Sequence, residues 1–213
     1  LLVVGSAPLC AQQDDLWFGD LAMPTGTRQA GQIAADPIDA SLLLLRSDAS
    51  TLRWDGASLQ PIANIGTRLT GAAIATVTLP NATGLLAFGG TSTTGIVSGQ
   101  TLLFANGLWG RRMPPTIPPA RTSAAMTSAG GSALMFGGRD AQGNLLADTW
   151  VFTTVGTQPT WLQMLTDTVP PPRSDAALCA DGHGGFLLFG GRGSSGLLDD
   201  TWHFDTATSW RRI

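Results

Sequence analysis

The sequence predicts an all-β fold, a β-propeller of four-stranded antiparallel blades, and three observations lead there. Glycine (27) and proline (13) are abundant in the 213 residues, which favours many short strands and turns over long helices. Three segments end alike: Leu85-Leu-Ala-Phe-Gly-Gly90, Ala133-Leu-Met-Phe-Gly-Gly138 and Phe186-Leu-Leu-Phe-Gly-Gly191. Four landmarks then recur three times in one order, a self-similarity at the period of a repeat architecture.

The landmarks place the strands. An arginine followed by small residues opens each unit, as Arg68-Leu-Thr-Gly-Ala, Arg121-Thr-Ser-Ala-Ala and Arg173-Ser-Asp-Ala-Ala. Strand a follows it. Strand b ends at Phe88-Gly89-Gly90, Phe136-Gly137-Gly138 or Phe189-Gly190-Gly191, the phenylalanines standing 48 and 53 residues apart. Paired glycines at a strand end suit positive φ or a close backbone approach that a Cβ would prevent. After a polar loop, strand c reads Gln100-Thr-Leu-Leu-Phe104, Asp148-Thr-Trp150-Val-Phe152 or Asp200-Thr-Trp202-His-Phe204. Strand d begins at Trp109, Trp161 or Trp210. A shorter first unit runs from Arg28, with Leu42–Leu45 in place of Phe-Gly-Gly, Thr51-Leu-Arg-Trp54 as strand c and Leu59 for the closing tryptophan. The repeats span about 24–62, 66–113, 118–165 and 170–213. A four-stranded sheet cannot bury both faces alone, whereas sheets stacked around an axis do.

These motifs resemble the Kelch repeat. Arg121, Phe136-Gly137-Gly138, Asp148-Thr149-Trp150 and Trp161 return as Arg173, Phe189-Gly190-Gly191, Asp200-Thr201-Trp202 and Trp210, and the likeness runs over about residues 17–213. The resemblance implies a β-propeller of about 50 residues per blade. Proteins similar to it include substrate-binding adaptors, actin-associated proteins, sialic-acid mutarotases and copper oxidases of galactose.

The ends carry two expectations. Leu1–Ala11 is apolar and rich in small residues, like the tail of a signal peptide, so residues 1–13 read as a leader remnant and the protein as secreted or periplasmic. Removing it would leave Cys179 without an internal disulfide partner, as a small buried residue. Trp17, in segment 16–22, precedes Arg28 at the spacing of a strand d that lacks its a, b and c, while the last unit already has Trp210. The repeats therefore read as part of a larger propeller with a further blade past Ile213; the rival is a ring of four with a spare strand. An open arc would expose apolar sheet faces and favour self-association.

Composition removes several functions. The residues contain no Tyr, Glu or Lys, only two His, and a net charge of −3. Copper-radical oxidation and sialidase chemistry, which need tyrosine, are excluded within these residues, as are a lysine Schiff base and a Glu general acid. No electrostatic footprint for nucleic acid exists, and no apolar run is long enough to span a membrane. Neither a catalytic set, a metal site nor a cofactor is expected. Asn81-Ala-Thr83 fits a glycosylation acceptor, meaningful only in a eukaryotic host.

Strand reversal puts the d–a and b–c loops on one face. There lie Arg28, Arg68, Arg121 and Arg173 at the start of strand a, and Arg46, Arg139 and Arg192 after strand b, with Asp140 and Asp199 near them. In Kelch adaptors the matching positions hold acidic peptides, and the planar guanidinium suits carboxylates. The competing reading is that the start-of-a arginines pack between blades against backbone carbonyls. Asp36, Asp39, Asp181 and His183 belong to the opposite face, where Asp181 with the nearby His183 offers two candidate ligands, too few for a specific metal site, and His203 belongs to a sheet surface. The leading expectation is a non-catalytic binding module for a protein segment or glycan; the alternatives are a mutarotase-like sugar enzyme and a purely structural repeat.

Overall fold

A computed structural model describes residues 31–36, 41–46, 48–205 and 209–213. The leader-like segment 1–13, the Trp17 strand, Arg28 and Asp39 lie outside the described residues.

Four four-stranded antiparallel sheets follow one another along the chain. The first holds β1 (Gly31–Ala35), β2 (Leu42–Arg46), β3 (Ser50–Trp54) and β4 (Leu59–Asn64). The second holds β5 (Ala73–Leu79), β6 (Ala82–Phe88), β7 (Thr101–Ala105) and β8 (Leu108–Arg112). In the third, β9 (Ala125–Ala129), β10 (Ser132–Phe136), β11 (Thr149–Val155) and β12 (Gln158–Met164) pair in the same order. The fourth takes β13 (Ala177–Ala180), β14 (Phe186–Phe189), β17 (Thr201–Asp205) and β18 (Ser209–Arg212), and its b–c loop forms a small hairpin of β15 (Arg192–Gly193) and β16 (Gly196–Leu197).

The first, divergent unit forms a four-stranded sheet in the same register as the others. Leu59 pairs with Trp54 as Trp109 pairs with Phe104, Trp161 with Phe152 and Trp210 with Phe204. Strand d starts up to three residues before its tryptophan, because strands c and d stay paired beyond the aromatic pair, as far as Val155 with Gln158 and Ala105 with Leu108.

The core lies between sheets. Along β6, Leu85 and Ala87 pack toward the first sheet while Leu86 and Phe88 pack toward the third. Along β10, Ala133 and Met135 face the second sheet, and Leu134 and Phe136 the fourth. Period-two alternation sends successive side chains to opposite faces, so a continuous apolar run marks a strand covered on both sides. Strands a (β1, β5, β9, β13) neighbour one another in sequence order, and no comparable contact returns from β13 to β1 among the described residues. Small residues such as Ala73, Ala75, Ala124, Ala125 and Ala176 let these innermost segments approach closely, and Thr76 donates a 3.0 Å hydroxyl bond to Ser128 between them.

Candidate functional site: the arginine-bearing face

The start-of-a arginines divide into two kinds. Arg121 and Arg173 are each 1% exposed. The Arg121 guanidinium grips Asp148 bidentately at 2.6 and 2.7 Å, and donates to the carbonyls of Gly137 (2.9 Å) and Pro119 (3.1 Å). Arg173 repeats this with Asp200 at 2.6 and 2.8 Å, Gly190 O at 2.9 Å and Pro171 O at 3.0 Å. The indoles of Trp150 and Trp202 donate to the same carboxylates at 2.7 Å. Four of the five N–H donors of each fork are used, so these two buried arginines lock strand a to the start of strand c within their own blades, and neither presents its charge to a ligand.

The matching position in the second blade is not Arg68. Backbone pairing of Thr70 with Thr91, Thr122 with Arg139 and Ser174 with Arg192 aligns Leu69, not Arg68, with Arg121 and Arg173. Arg68 stands one residue outside this frame and is exposed. Gln100 stands where Asp148 and Asp200 stand, and Leu102 where the two tryptophans stand. Arginine, aspartate and tryptophan are thus replaced together, which leaves no buried charge unpaired.

The ion pairs shape acid stability. Hydrogen bonding by Arg173 holds the Asp200 carboxyl down at about 2, with Trp202 and the Arg173 charge assisting and burial opposing. For Asp148, burial pushes upward most strongly, but the Arg121 bonds and charge together with Trp150 keep the net value below the ordinary 3.8. Both carboxyls titrate lower folded than unfolded, so their stabilisation is complete above about pH 4 and is lost as pH falls toward 2. Thermal melting should drop steeply across that window, and the Arg173→Leu/Asp200→Gln variant should show a shallower drop in a pH series by circular dichroism.

Arg139 and Arg192 stay on the surface. They occupy equivalent positions in successive blades, each paired through its backbone to the residue after the buried arginine or its own-blade counterpart, Thr122 or Ser174. Arg139 is half-buried; its Nε donates to Ser174 Oγ at 3.1 Å, and that hydroxyl in turn donates to Asp175 at 2.8 Å. Arg192 is exposed. Arg46 leans on Asp48 at 3.5 Å. Asp140 is occupied by its own loop, accepting from the Gln142 and Asn144 amides and the Asn144 side chain, while Asp199 is exposed. Ser123 and Asp175, at the equivalent place before strand a, have φ of 55° and 57°, where Gly71 stands in the second blade. Their amides link the blades, Ser123 N donating to Gly71 O and Asp175 N to Ser123 O.

The opposite face carries two local pairs. Asp36 is buried against Arg53 at 2.6 Å, beside a cavity of about 330 Å³ also lined by Leu43, Ile62 and Phe104. Asp181 caps its turn by accepting from the His183 and Gly185 amides, and His203 Nε2 lies 2.8 Å from its second oxygen. The bond to His203 contributes most to holding the Asp181 carboxyl at about 2. Sequence reasoning placed His203 on a sheet surface and missed this partner, which only the strand register brings to it. His183 is exposed, and among the described residues no three metal-ligating side chains gather. Cys179 is half-buried on β13. No helix among the described residues is long and apolar enough to cross a membrane.

Four-stranded blades locked by a repeated Arg–Asp–Trp cluster define a class, the Kelch-type propeller. The chain belongs to the Kelch-repeat family: residues 71–213 match the KLHDC2/KLHL20/DRC7 Kelch-repeats domain. It is similar to Adagio protein 3 of Arabidopsis thaliana, 29% identical over 127 residues, covering 58% of this chain and 20% of that protein. An F-box/kelch-repeat protein of Arabidopsis thaliana is 33% identical over 94 residues, covering 43% of this chain and 20% of its own length. Adagio-like protein 1 of Oryza sativa subsp. japonica is 27% identical over 100 residues, covering 46% and 16% respectively. The chain thus spans a fifth or less of the length of the curated relatives it matches. These relatives correct one expectation. Adagio and F-box/kelch proteins are intracellular plant proteins, so the secreted placement drawn from Leu1–Ala11 is withdrawn.

Proposed function

We propose that this chain is a non-catalytic protein-binding segment that holds an acidic peptide on the face bearing Arg139 and Arg192. Kelch repeats in general mediate protein interaction. The observation that carries the finer reading is the placement of two surface guanidiniums at one repeated position of adjacent blades, one of them already oriented by Ser174. Pre-orientation lowers the ordering cost of binding, and a fork that keeps free N–H groups can take a carboxylate side by side. Arg68 extends the same face toward the second blade. Asp140 does not oppose this strongly, because its oxygens are turned into its own loop.

The test is fluorescence anisotropy with a labelled decapeptide of alternating Asp and Glu, against the same length of Ser and Gly. Charge-assisted bonds contribute about 1.5–3 kcal/mol each, so Arg139→Glu/Arg192→Glu should weaken the acidic peptide at least ten-fold. Affinity should also fall with added salt. Equal affinity of variant and parent, with the melting temperature unchanged, would remove this face from the binding account.

A further inference from the structure

The links between successive blades present aliphatic side chains at repeated places. The link from β8 to the third blade, residues 113–120, and the link from β12 to the fourth, residues 165–172, are equal in length and end at Arg121 and Arg173. Each begins with a large apolar residue, Met113 at 71% exposed and Leu165 at 85%. Four residues before each buried arginine stands another, Ile117 at 43% and Val169 at 45%. The links are stiff. A buried proline, Pro118 or Pro170, follows Ile117 or Val169, and the next prolines, Pro119 and Pro171, carry carbonyls bound by the Arg121 and Arg173 guanidiniums at 3.1 and 3.0 Å. Proline fixes φ, so these side chains are held out in water before anything binds. Each link also runs between two described blades, so the exposure belongs to the packed fold.

The same links border the surface arginines. The Arg173 amide, which closes the second link, donates at 3.1 Å to Leu146 O in the loop that carries Arg139, and Arg139 itself bonds Ser174. The Arg121 amide closes the first link in the same way on Ser98 O, in a loop that carries the exposed Ile96. Strand reversal opens all these loops onto one face, so guanidinium and aliphatic side chains share it.

We infer that the segment held by this face is aliphatic as well as acidic, laying leucine-like side chains on Met113, Ile117, Leu165 and Val169 while its carboxylates meet Arg139 and Arg192. The inference rests on the acidic-peptide reading of those two arginines. Repeated aliphatic positions on stiff links offer burial at little ordering cost, and the cations beside them select for acids between the apolar groups. Other occupants match less well. A second copy in a two-fold arrangement would set the arginines against their own kind. An anionic lipid surface would meet Asp140, Asp167 and Asp199 on the same loops. In an extended segment residues two apart share a face, so the fitting pattern sets an acid and an aliphatic residue two apart.

Fluorescence anisotropy on the 213-residue chain tests this with labelled peptides of repeated Asp-Ser-Leu-Ser, Asp-Ser-Ser-Ser and Asn-Ser-Leu-Ser, equal in length. Burying one leucine side chain is worth about ten-fold in affinity, so the first peptide should bind about ten-fold tighter than the second, or more. The neutral third should bind more weakly than the first. Met113→Ser/Leu165→Ser should bring the ratio of the first two affinities close to one, with the melting temperature unchanged because both side chains are exposed. Equal binding of the first two peptides by the parent chain overturns the inference, and so does a ratio that survives the double substitution. Asn-Ser-Leu-Ser binding as tightly as Asp-Ser-Leu-Ser overturns it too, since the face would then take any apolar segment. The leucine-free Asp-Ser-Ser-Ser peptide, measured against Arg139→Glu/Arg192→Glu, judges the arginines separately, so a failure of the aliphatic contacts is told apart from a failure of the acidic ones.

Discussion

Arg121→Leu should destabilise the protein by about 3–5 kcal/mol, because it strands Asp148 without its counter-charge. The native structure shows how that loss is avoided. In the second blade Leu69, Gln100 and Leu102 take the places of Arg, Asp and Trp, and Leu69 and Leu102 are each 8% exposed. Copying that set as Arg121→Leu/Asp148→Gln/Trp150→Leu should recover most of the loss, leaving the triple variant within about 2 kcal/mol of the parent. Urea midpoints for the parent, the three single variants and the triple variant measure it. Non-additivity is the signature, since the three side chains share one hydrogen-bonded cluster. If the triple variant is as unstable as the sum of the singles, the cluster stabilises through something other than mutual satisfaction of buried charge.

This cluster also marks where the sequence could be read and where it could not. Phe-Gly-Gly and the closing tryptophans were legible because few residues can do their work: glycine at positive φ, a large ring at a fixed height. The apolar runs of Leu42–Leu45 and Leu85–Phe88 identified strands covered on both faces, even where Phe-Gly-Gly was missing. The Arg68 assignment failed by one residue because identity of residue type outweighed spacing; Arg121 and Arg173 stand four residues before their strands, Arg68 five. A better signal was available in the joint disappearance of Arg, Asp and Trp from one unit, since Arg121–Asp148 and Arg173–Asp200 share a separation of 27 residues. Exposed apolar faces were expected at the ends of an open arc, but that Phe189 would be the exposed residue was not legible. A phenylalanine's burial at a blade face depends on the neighbouring blade, not on its own repeat.

Gly137→Ala tests how rigid these junctions are. Gly137 has φ of +65°, and a Cβ there would lie 2.5 Å from Arg173 O and 3.1 Å from Leu146 O, both backbone atoms. The left-handed conformation alone costs an alanine about 1–2 kcal/mol. Relieving the overlap also requires Arg173 to withdraw its carbonyl, breaking the bond from Gly138 and leaving a buried donor unsatisfied at about 1–3 kcal/mol. Gly143→Ala is the control: its φ is +84° and nothing lies within 4 Å, so it should show the conformational cost alone. Gly190→Ala falls between them, with φ of +61° and a single carbonyl, Leu198 O, at 3.0 Å. Urea denaturation should therefore rank the losses Gly137 greatest, Gly190 next and Gly143 least. Equal losses at Gly137 and Gly143 would mean that adjacent blades can part by an ångström at little cost, and the tight register between them would not be what orients Arg139 toward Ser174. A loss at Gly137 exceeding that at Gly143 by about 2 kcal/mol would tie the orientation of the surface arginine to the packing beneath it.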